Sequence, residues 1–422
     1  MALAKPQPIT DRASLDAELS RIADICHGCR RCFSLCPSFD VLFKGLDVPE
    51  VDGEVEKLPK RVLQDFVDLC YECRLCIPHC PYVPPHRWQV HVPHMVLHAR
   101  RLNVADEGVP LRDRMLSSPD ELGRLATTVA PLANLATRLP VLRWGMEKTL
   151  GVARQKTLPV FASQTFTRWF ETRDVPKSTG RSVAKVVFFP TCSVQWNRVD
   201  IGKAAVQVLE RNGVEVVVDY PRCCGMPFFD VGDFASANEA RREVTAALKV
   251  WMDKGYTVVT PGPSCSLMMK REYNWLGPDP RGGAELAVEA RDLGEFLMEL
   301  KAQGKLDTRF PNAPASIAYH LPCHLKVQNI GYKSRDLLLL TGAPVTMVER
   351  CSGHDGTWSM KVEYFEESMK VGRKLFDLLD ESRAEVLASD CPLAALQIAQ
   401  GMSRPVKHPV EIVRDAYGME AP

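Results

Sequence analysis

Eight cysteines between residues 26 and 80 constrain this chain more than anything else in it, because they form one pattern written twice. The first run is Cys26, Cys29, Cys32 and Cys36 followed by Pro37; the second is Cys70, Cys73, Cys76 and Cys80 followed by Pro81. Two-residue gaps let three thiolates of one loop grip three irons of a cubane. The fourth thiol, three residues on and followed by proline, is held away and reaches the other cubane. The spacing therefore predicts two [4Fe–4S] clusters with exchanged fourth ligands. One falls on Cys26, Cys29, Cys32 and Cys80, the other on Cys70, Cys73, Cys76 and Cys36. Structural zinc takes paired cysteines from two halves of a site, not two runs of four each closed by proline. A disulfide framework fits no better: the cysteines total 15, an odd number, and the N-terminus lacks the apolar core of a secretion signal. The expected setting is a reducing cytoplasm, where thiols serve metals and redox chemistry.

Helices are expected to deliver both runs. Leu15, Leu19, Ile22 and Ile25 recur at helical spacing into Cys26, and Leu58, Val62, Phe66 and Leu69 do so before Cys70. Past Cys80 another helix should hold His91, His94 and His98. His94 and His98 are i,i+4 neighbours, able to share a metal or simply to pack and hydrogen-bond beside the clusters.

Formal charge is +1 overall, which gives no basic field for nucleic acid. That balance hides a local excess: residues 100–185 hold 15 Lys/Arg against 8 Asp/Glu. Ser118-Pro119-Asp120-Glu121 reads as a capped helix start with a capping-box Glu. Leu122, Leu125, Val129, Leu132 and Leu135 then make one apolar stripe, and Pro131 and Pro140 should divide the helical stretch. Trp144, Phe161, Phe166, Trp169 and Phe170 add aromatics. Such a segment can lie on an anionic membrane surface, on the protein's own core, or on a partner subunit. No apolar run reaches the length of a membrane span, about 18 residues.

From residue 186 the text turns α/β and is written twice. Strands Val186–Phe189, Val214–Val218 and Tyr256–Thr260 lead to Cys192, to Cys223-Cys224-Gly225 and to Cys265. Strands Ile317–His320, Val345–Val348 and Glu385–Leu387 lead to Cys323, to Cys351-Ser352-Gly353 and to Cys391. Equivalent cysteines lie 131, 128 and 126 residues apart, a constant offset that marks a duplication. Helices over Ala235–Asp253 and Phe365–Leu379 complete two β/α units. Ligands of open α/β sheets bind beyond the strands' carboxyl ends, and all seven cysteines follow such ends. The set Cys192, Cys223, Cys224, Cys265, Cys323, Cys351 and Cys391 is therefore the candidate for a third iron–sulfur cluster or a zinc ion, with buried structural thiols as the alternative.

These motifs resemble a known family. Cys-Cys-Gly repeats behind eight ferredoxin-type cysteines, with Tyr82-Val-Pro-Pro-His86, Cys223-Cys-Gly-Met-Pro227, Pro263-Ser-Cys-Ser-Leu-Met268, His320-Leu-Pro-Cys-His324 and Arg350-Cys-Ser-Gly-His-Asp-Gly356, are similar to the Cys-Cys-Gly-domain iron–sulfur oxidoreductases. That family includes iron–sulfur subunits of heterodisulfide reductase, glycolate oxidase and anaerobic glycerol-3-phosphate dehydrogenase. The resemblance implies an α-helical ferredoxin domain (1–100), a basic helical spacer (101–184), a first Cys-Cys-Gly repeat (185–310) and a second, degenerate one (311–422). It also implies an electron-transfer subunit, cytoplasmic or peripheral on the inner face of the membrane, passing electrons from a flavin dehydrogenase toward quinone. No G-x-G-x-x-G lies at a strand–helix turn, so flavin or nicotinamide should sit on a partner. The alternative is a catalytic subunit reducing a disulfide or another small acceptor at the Cys-Cys-Gly site. This chain departs from the pattern of five thiols per repeat: Cys265 is followed by Ser-Leu-Met, Cys391 by Pro-Leu-Ala, and Ser352 replaces a motif cysteine. His320, His324 and His354 lie near enough in sequence to supplement the second site. On this reading the first repeat is the redox site and the second mainly its structural partner. The two units should face each other across a pseudo-twofold axis, which would also let Cys323 or Cys351 complete the first set.

Overall fold

The computed structural model describes residues 8–174, 182–277, 283–354 and 356–420. Asp355 of the quoted motif, and Lys177 and Arg181 of the basic stretch, lie outside them. Residues 8–107 contain helices and no strand among those described: α1 (Arg12–Cys29), α2 (Pro37–Leu46), α3 (Lys60–Asp68), α4 (Cys76–His79) and α5 (Val92–Glu107). The α1 stripe Leu15, Leu19, Ile22 and Ile25 is buried against Phe39, Leu42 and Phe43 of α2, Phe66 of α3 and Val96 of α5. The helix before Cys70 starts later than the periodicity suggests, because Leu58 precedes Pro59 at the N-cap of α3. Leu58 still joins the core.

Five helices come next, between 111 and 172: Leu111–Ser117, Pro119–Thr128, Ala130–Ala136, Pro140–Leu150 and Phe166–Thr172. Pro131 and Pro140 both sit at helix starts, so they divide the stretch as expected. The capping box does not form. Ser118 turns its hydroxyl back to the Arg114 carbonyl at 2.8 Å.

Two parallel sheets then repeat one topology. The first contains β1 (Ala184–Phe188), β2 (Val214–Val218), β3 (Thr257–Thr260) and β4 (Ala290–Asp292) in the order β2-β1-β3-β4. The second contains β5 (Ile317–His320), β6 (Val345–Val348), β7 (Val386–Ser389) and β8 (Val406–Lys407) in the order β6-β5-β7-β8. Every pairing is parallel, and helices Phe234–Met252 and Phe365–Glu381 fall where expected. The strands β4 and β8 are not legible in the sequence, being too short to show a period. Helices join the two units. Val199–Arg211 packs on Pro409–Ala416, and Leu293–Ala302 on Lys333–Leu339. One apolar core thus runs through Ile201, Val208 and Leu297 of one repeat and Leu337, Val410 and Val413 of the other.

Candidate metal centres

Helix α1 runs through Cys26 and Cys29 and stops at Arg30, whose left-handed backbone (φ 50°) returns its N–H to the Cys26 carbonyl. A non-glycine residue holds this strained turn because its guanidinium binds Asp47 at 2.7 Å. Cys26, Cys29, Cys32 and Cys80 line one small hollow, closed by Ile25, Phe39, Phe43 and Val90. Burial pushes the Cys26 thiol far above its usual range and Cys32 to about 12, with neighbouring cysteines adding to both. Cys70, Cys73 and Cys76 are likewise raised by burial, and each has Cys36 among its charged neighbours. Cys36 itself is pushed to about 11. Cys36 thus lies beside the second run while also neighbouring Cys32 of its own, and Cys80 lies with Cys26, Cys29 and Cys32. Shells of thiols in apolar walls suit iron–sulfur binding, since a cationic core would reverse the shift and ionise them.

The second run is anchored to the first sheet by buried charge. Arg74 pairs with Glu272 at 3.0 Å, and Arg100 donates to the Asp230 carbonyl at 2.7 Å and to the Cys70 carbonyl. The histidines of α5 are spent on this interface. His91 stacks on His94 at 3.6 Å, His94 on Trp275 at 4.1 Å, and His98 meets the edge of Trp275 at 5.0 Å. His94 Nε2 faces Glu272 at 3.0 Å. Packing and hydrogen bonding thus account for His91 and His94, while His98 packs on Trp275 with its buried Nδ1 left without a hydrogen-bond partner in the protein.

All seven C-terminal cysteines line a single cavity of about 120 Å³ between the two sheets. The loops after β1, β2, β3, β5, β6 and β7 all open into it, as expected at carboxyl ends flanking a switch in strand order. Thr191, a β-branched residue at φ 71°, precedes Cys192, a strained position of the kind that gathers at functional loops. Cys192, Cys223, Cys224 and Cys265 are successive neighbours, and burial and the adjoining thiols together raise all four. Cys391 neighbours Cys265, whereas Cys323 and Cys351 neighbour Cys73, and Cys351 also Cys36. Ser352 lines the cavity too. Of the histidines, His320 Nδ1 meets Ser389 Oγ at 3.0 Å, and His324 uses both nitrogens, on Ser264 Oγ at 2.9 Å and the Glu72 carbonyl at 3.0 Å. His354 Nδ1 meets Ser359 Oγ at 2.8 Å, and its buried Nε2 has no hydrogen-bond partner in the protein. Among the described residues no three His, Cys, Asp or Glu side chains are grouped closely enough for one ion. A cluster, with one thiolate per iron, spaces its ligands more widely.

Sequence reasoning missed Asp120. Read as a first-turn helix residue, it instead reaches the Cys-Cys-Gly loop. It accepts from Cys223 N–H at 2.6 Å, Tyr220 O–H at 2.6 Å and Trp196 Nε1–H at 2.8 Å. Nothing local distinguishes it, because its donors come from residues 196–223.

The two motif glycines are not equivalent. At Gly225 (φ 91°) an added Cβ would sit 3.0 Å from Ala240 Cβ, but at Gly353 (φ 72°) it would lie 1.9 Å from the Ser368 carbonyl oxygen. The left-handed backbone alone costs a non-glycine residue about 1–2 kcal/mol. Gly353→Ala adds a backbone overlap and is expected to lower the melting temperature clearly more than Gly225→Ala, as calorimetry of the two variants would measure.

Comparison with known proteins agrees with this geometry. The cysteine-rich domain family (CCG) matches residues 186–270 and 317–399, and the 4Fe-4S dicluster domain family matches residues 18–81. The C subunit of anaerobic glycerol-3-phosphate dehydrogenase from Escherichia coli (strain K12) is 29% identical over 72% of this chain and 77% of the relative. Lactate utilization protein A from Geobacillus kaustophilus (strain HTA426) is 30% identical over 49% of this chain and 87% of its own. The same protein from Geobacillus thermodenitrificans (strain NG80-2) is 31% identical over the same shares.

Proposed function

Since the chain belongs to the family of cysteine-rich-domain (CCG) iron–sulfur proteins that includes lactate utilization protein A and the C subunit of anaerobic glycerol-3-phosphate dehydrogenase, we propose that it is the electron-transferring subunit of an oxidoreductase. In this reading residues of an α-helical ferredoxin domain hold two cubane clusters, on Cys26, Cys29, Cys32 and Cys80 and on Cys70, Cys73, Cys76 and Cys36. The cavity between the repeats holds a third centre. Iron–sulfur groups supply one-electron storage. The protein's part is to keep them dry, close together and in order. One observation carries the reading: Cys36 and Cys73 of the second set lie beside Cys323 and Cys351 of the cavity, and Cys76 of the second set neighbours Cys32 of the first, so the three thiol sets adjoin in turn. A dehydrogenase partner, carrying flavin, would supply electrons at one end, and quinone would accept them. Anaerobic metal analysis tests the centres: about 8 irons are expected from the quartets and about 12 with the cavity loaded. Eight with one zinc would make the cavity a scaffold. The relay role requires that the isolated chain neither binds flavin stoichiometrically nor oxidises a substrate unaided.

The cavity supports a second reading, reduction of a disulfide or other small acceptor at the Cys-Cys-Gly site. Turnover with reduced viologen and such an acceptor, without any partner, would favour it over the relay.

The spacer supports a peripheral membrane contact. Of the three alternatives for its stripe, packing on the core accounts only for half-buried Leu122, since Leu125 is 73% exposed, and Val129, Leu132 and Leu135 are exposed with it. Leu139, Val141, Leu142 and Trp144 also face outward, while Phe166 is buried and Trp169 and Phe170 pack on the core. Arg124, Arg138 and Lys148 are exposed among them. Among the described residues no helix is long and apolar enough to cross a membrane. Exposed apolar side chains with a basic fringe fit an anionic lipid surface, each cation adding about 1 kcal/mol. Flotation with anionic liposomes is expected to be salt-sensitive, to weaken when Arg124, Arg138 and Lys148 are neutralised, and to fail in Leu132→Asp with Trp144→Ser. Binding unchanged in these variants would assign the face to a protein partner.

A further inference from the structure

We infer that Tyr71 is a positioning residue which bridges the second cysteine quartet to the cavity and raises the reduction potential of the centre held there. The inference rests on the reading of that cavity as an iron–sulfur site.

Tyr71 stands between Cys70 and Cys73, yet its hydroxyl lies 3.4 Å from the Cys351 sulfur, 280 residues away in the chain. The side chain is buried, in an apolar cluster that also holds Cys36, Cys73, Leu75, Cys323 and Cys351. Its ring has little freedom. Trp358 packs on it at 4.9 Å, is itself stacked on Tyr364 at 4.9 Å and 11°, and is tethered by its indole N–H to the Asp68 carbonyl at 3.1 Å. The hydroxyl is therefore aimed at Cys351 by packing from several sides, not by chance of a mobile surface group.

Between a phenol and a thiol either group can donate. Once Cys351 is a metal-bound thiolate it has no proton, and the bond must run from the tyrosine O–H to sulfur. Hydrogen bonds to ligand sulfur favour the more negative, reduced state and so raise the potential. The same bond closes the gap between the quartet loop and the cavity. From either flanking cysteine, a route passes through covalent bonds of Tyr71 and one hydrogen bond to Cys351. One electron crosses per event. The quartet side is oxidised by one equivalent, the cavity side is reduced by one, and the phenol keeps its proton with no bond made or broken. Donors upstream are the partner dehydrogenase or, in the test, dithionite. An uphill or level step into the cavity centre becomes more favourable by whatever the hydrogen bond contributes.

The test is an EPR-monitored redox titration of the full chain, reconstituted anaerobically with iron and sulfide, in wild type, Tyr71→Phe and Trp358→Phe. Tyr71→Phe keeps the ring and removes only the hydroxyl, and intact signals from the two quartet clusters report that it is folded. The expected result is a cavity signal moved to lower potential in Tyr71→Phe, with the quartet midpoints unmoved and a smaller effect in Trp358→Phe. A cavity signal present at the wild-type potential in Tyr71→Phe overturns the inference while leaving the metal reading intact. Equal shifts in both variants overturn it as well, since ring packing and not the hydroxyl would then set the potential. Absence of any third signal in the wild type overturns the metal reading, and the inference with it.

Discussion

Replacing Cys36 with serine is expected to damage the cluster built on Cys70, Cys73 and Cys76 and to spare the one on Cys26, Cys29 and Cys32, even though Cys36 closes the first run. The reason is geometric. Pro37 starts α2 with Cys36 as its N-cap in extended backbone, at the end of its own run beside Cys32 and within reach of the other run. The neighbours of Cys70, Cys73 and Cys76 include Cys36, while the hollow lined by Cys26, Cys29 and Cys32 takes Cys80 instead. Serine is a harder and poorer ligand for iron than thiolate. The variant should lose up to roughly four of the quartets' roughly eight irons. The remaining EPR signal should be that of the Cys26 side. Cys80→Ser should give the mirror result. A Cys36→Ser variant that lost the Cys26-side signal alone would put each fourth ligand with its own run.

The second large effect separates metal binding from electron delivery in the cavity. Cys224→Ala removes the middle of the chain of buried thiols from Cys192 to Cys265, and it should lose the non-quartet iron together with most transfer to a quinone analogue. From sequence alone Cys351→Ala should be milder on both counts. The structure changes one of them. Cys351 would be a fifth thiolate at the edge of the set of four, against Tyr71, Cys36 and Cys73. We therefore expect Cys351→Ala to retain much of the cavity iron and still lose transfer by on the order of tenfold, the consequence of about 1.4 kcal/mol in the barrier. Iron analysis and transfer rates on both variants decide the matter. Equal loss of iron would mean one centre with ligands from both repeats, and unimpaired transfer in Cys351→Ala would exclude electron entry past it.

Which parts were legible in the sequence depends on how far each interaction reaches along the chain. The quartets, the helices at Leu15–Ile25 and Phe365–Glu381, and the strand ends before Cys192, Cys265 and Cys323 depend on spacing within a few residues. Local periodicity and the constant repeat offset carry such information directly. The expected exchange of Cys36 and Cys80 is likewise a local reading, because it comes from a proline at a known offset, and the Cys36→Ser and Cys80→Ser variants test it.

Other features depend on residues a hundred or more apart, and only tertiary packing decided them. Asp120 carries no local mark of its grip on Cys223, since the energy of that clamp comes from three donors on a helix end and a loop of the first repeat, 76 to 103 residues away. The apolar stripe 125–135 has the same period whether it faces a core, a partner or a lipid surface, and only the fold shows that it is left outside. Spacing alone makes His94 and His98 candidate ligands, and only the fold shows both packed on Trp275 and His94 facing Glu272. Above all, seven cysteines written as two unequal sets become one cavity because the helices of the two repeats share a core. That packing turns both rows of strand ends inward and brings the second set against the quartet at Tyr71. The sequence by itself determined which groups could hold iron; the tertiary structure decided which of them are neighbours, and electron transfer depends on neighbours.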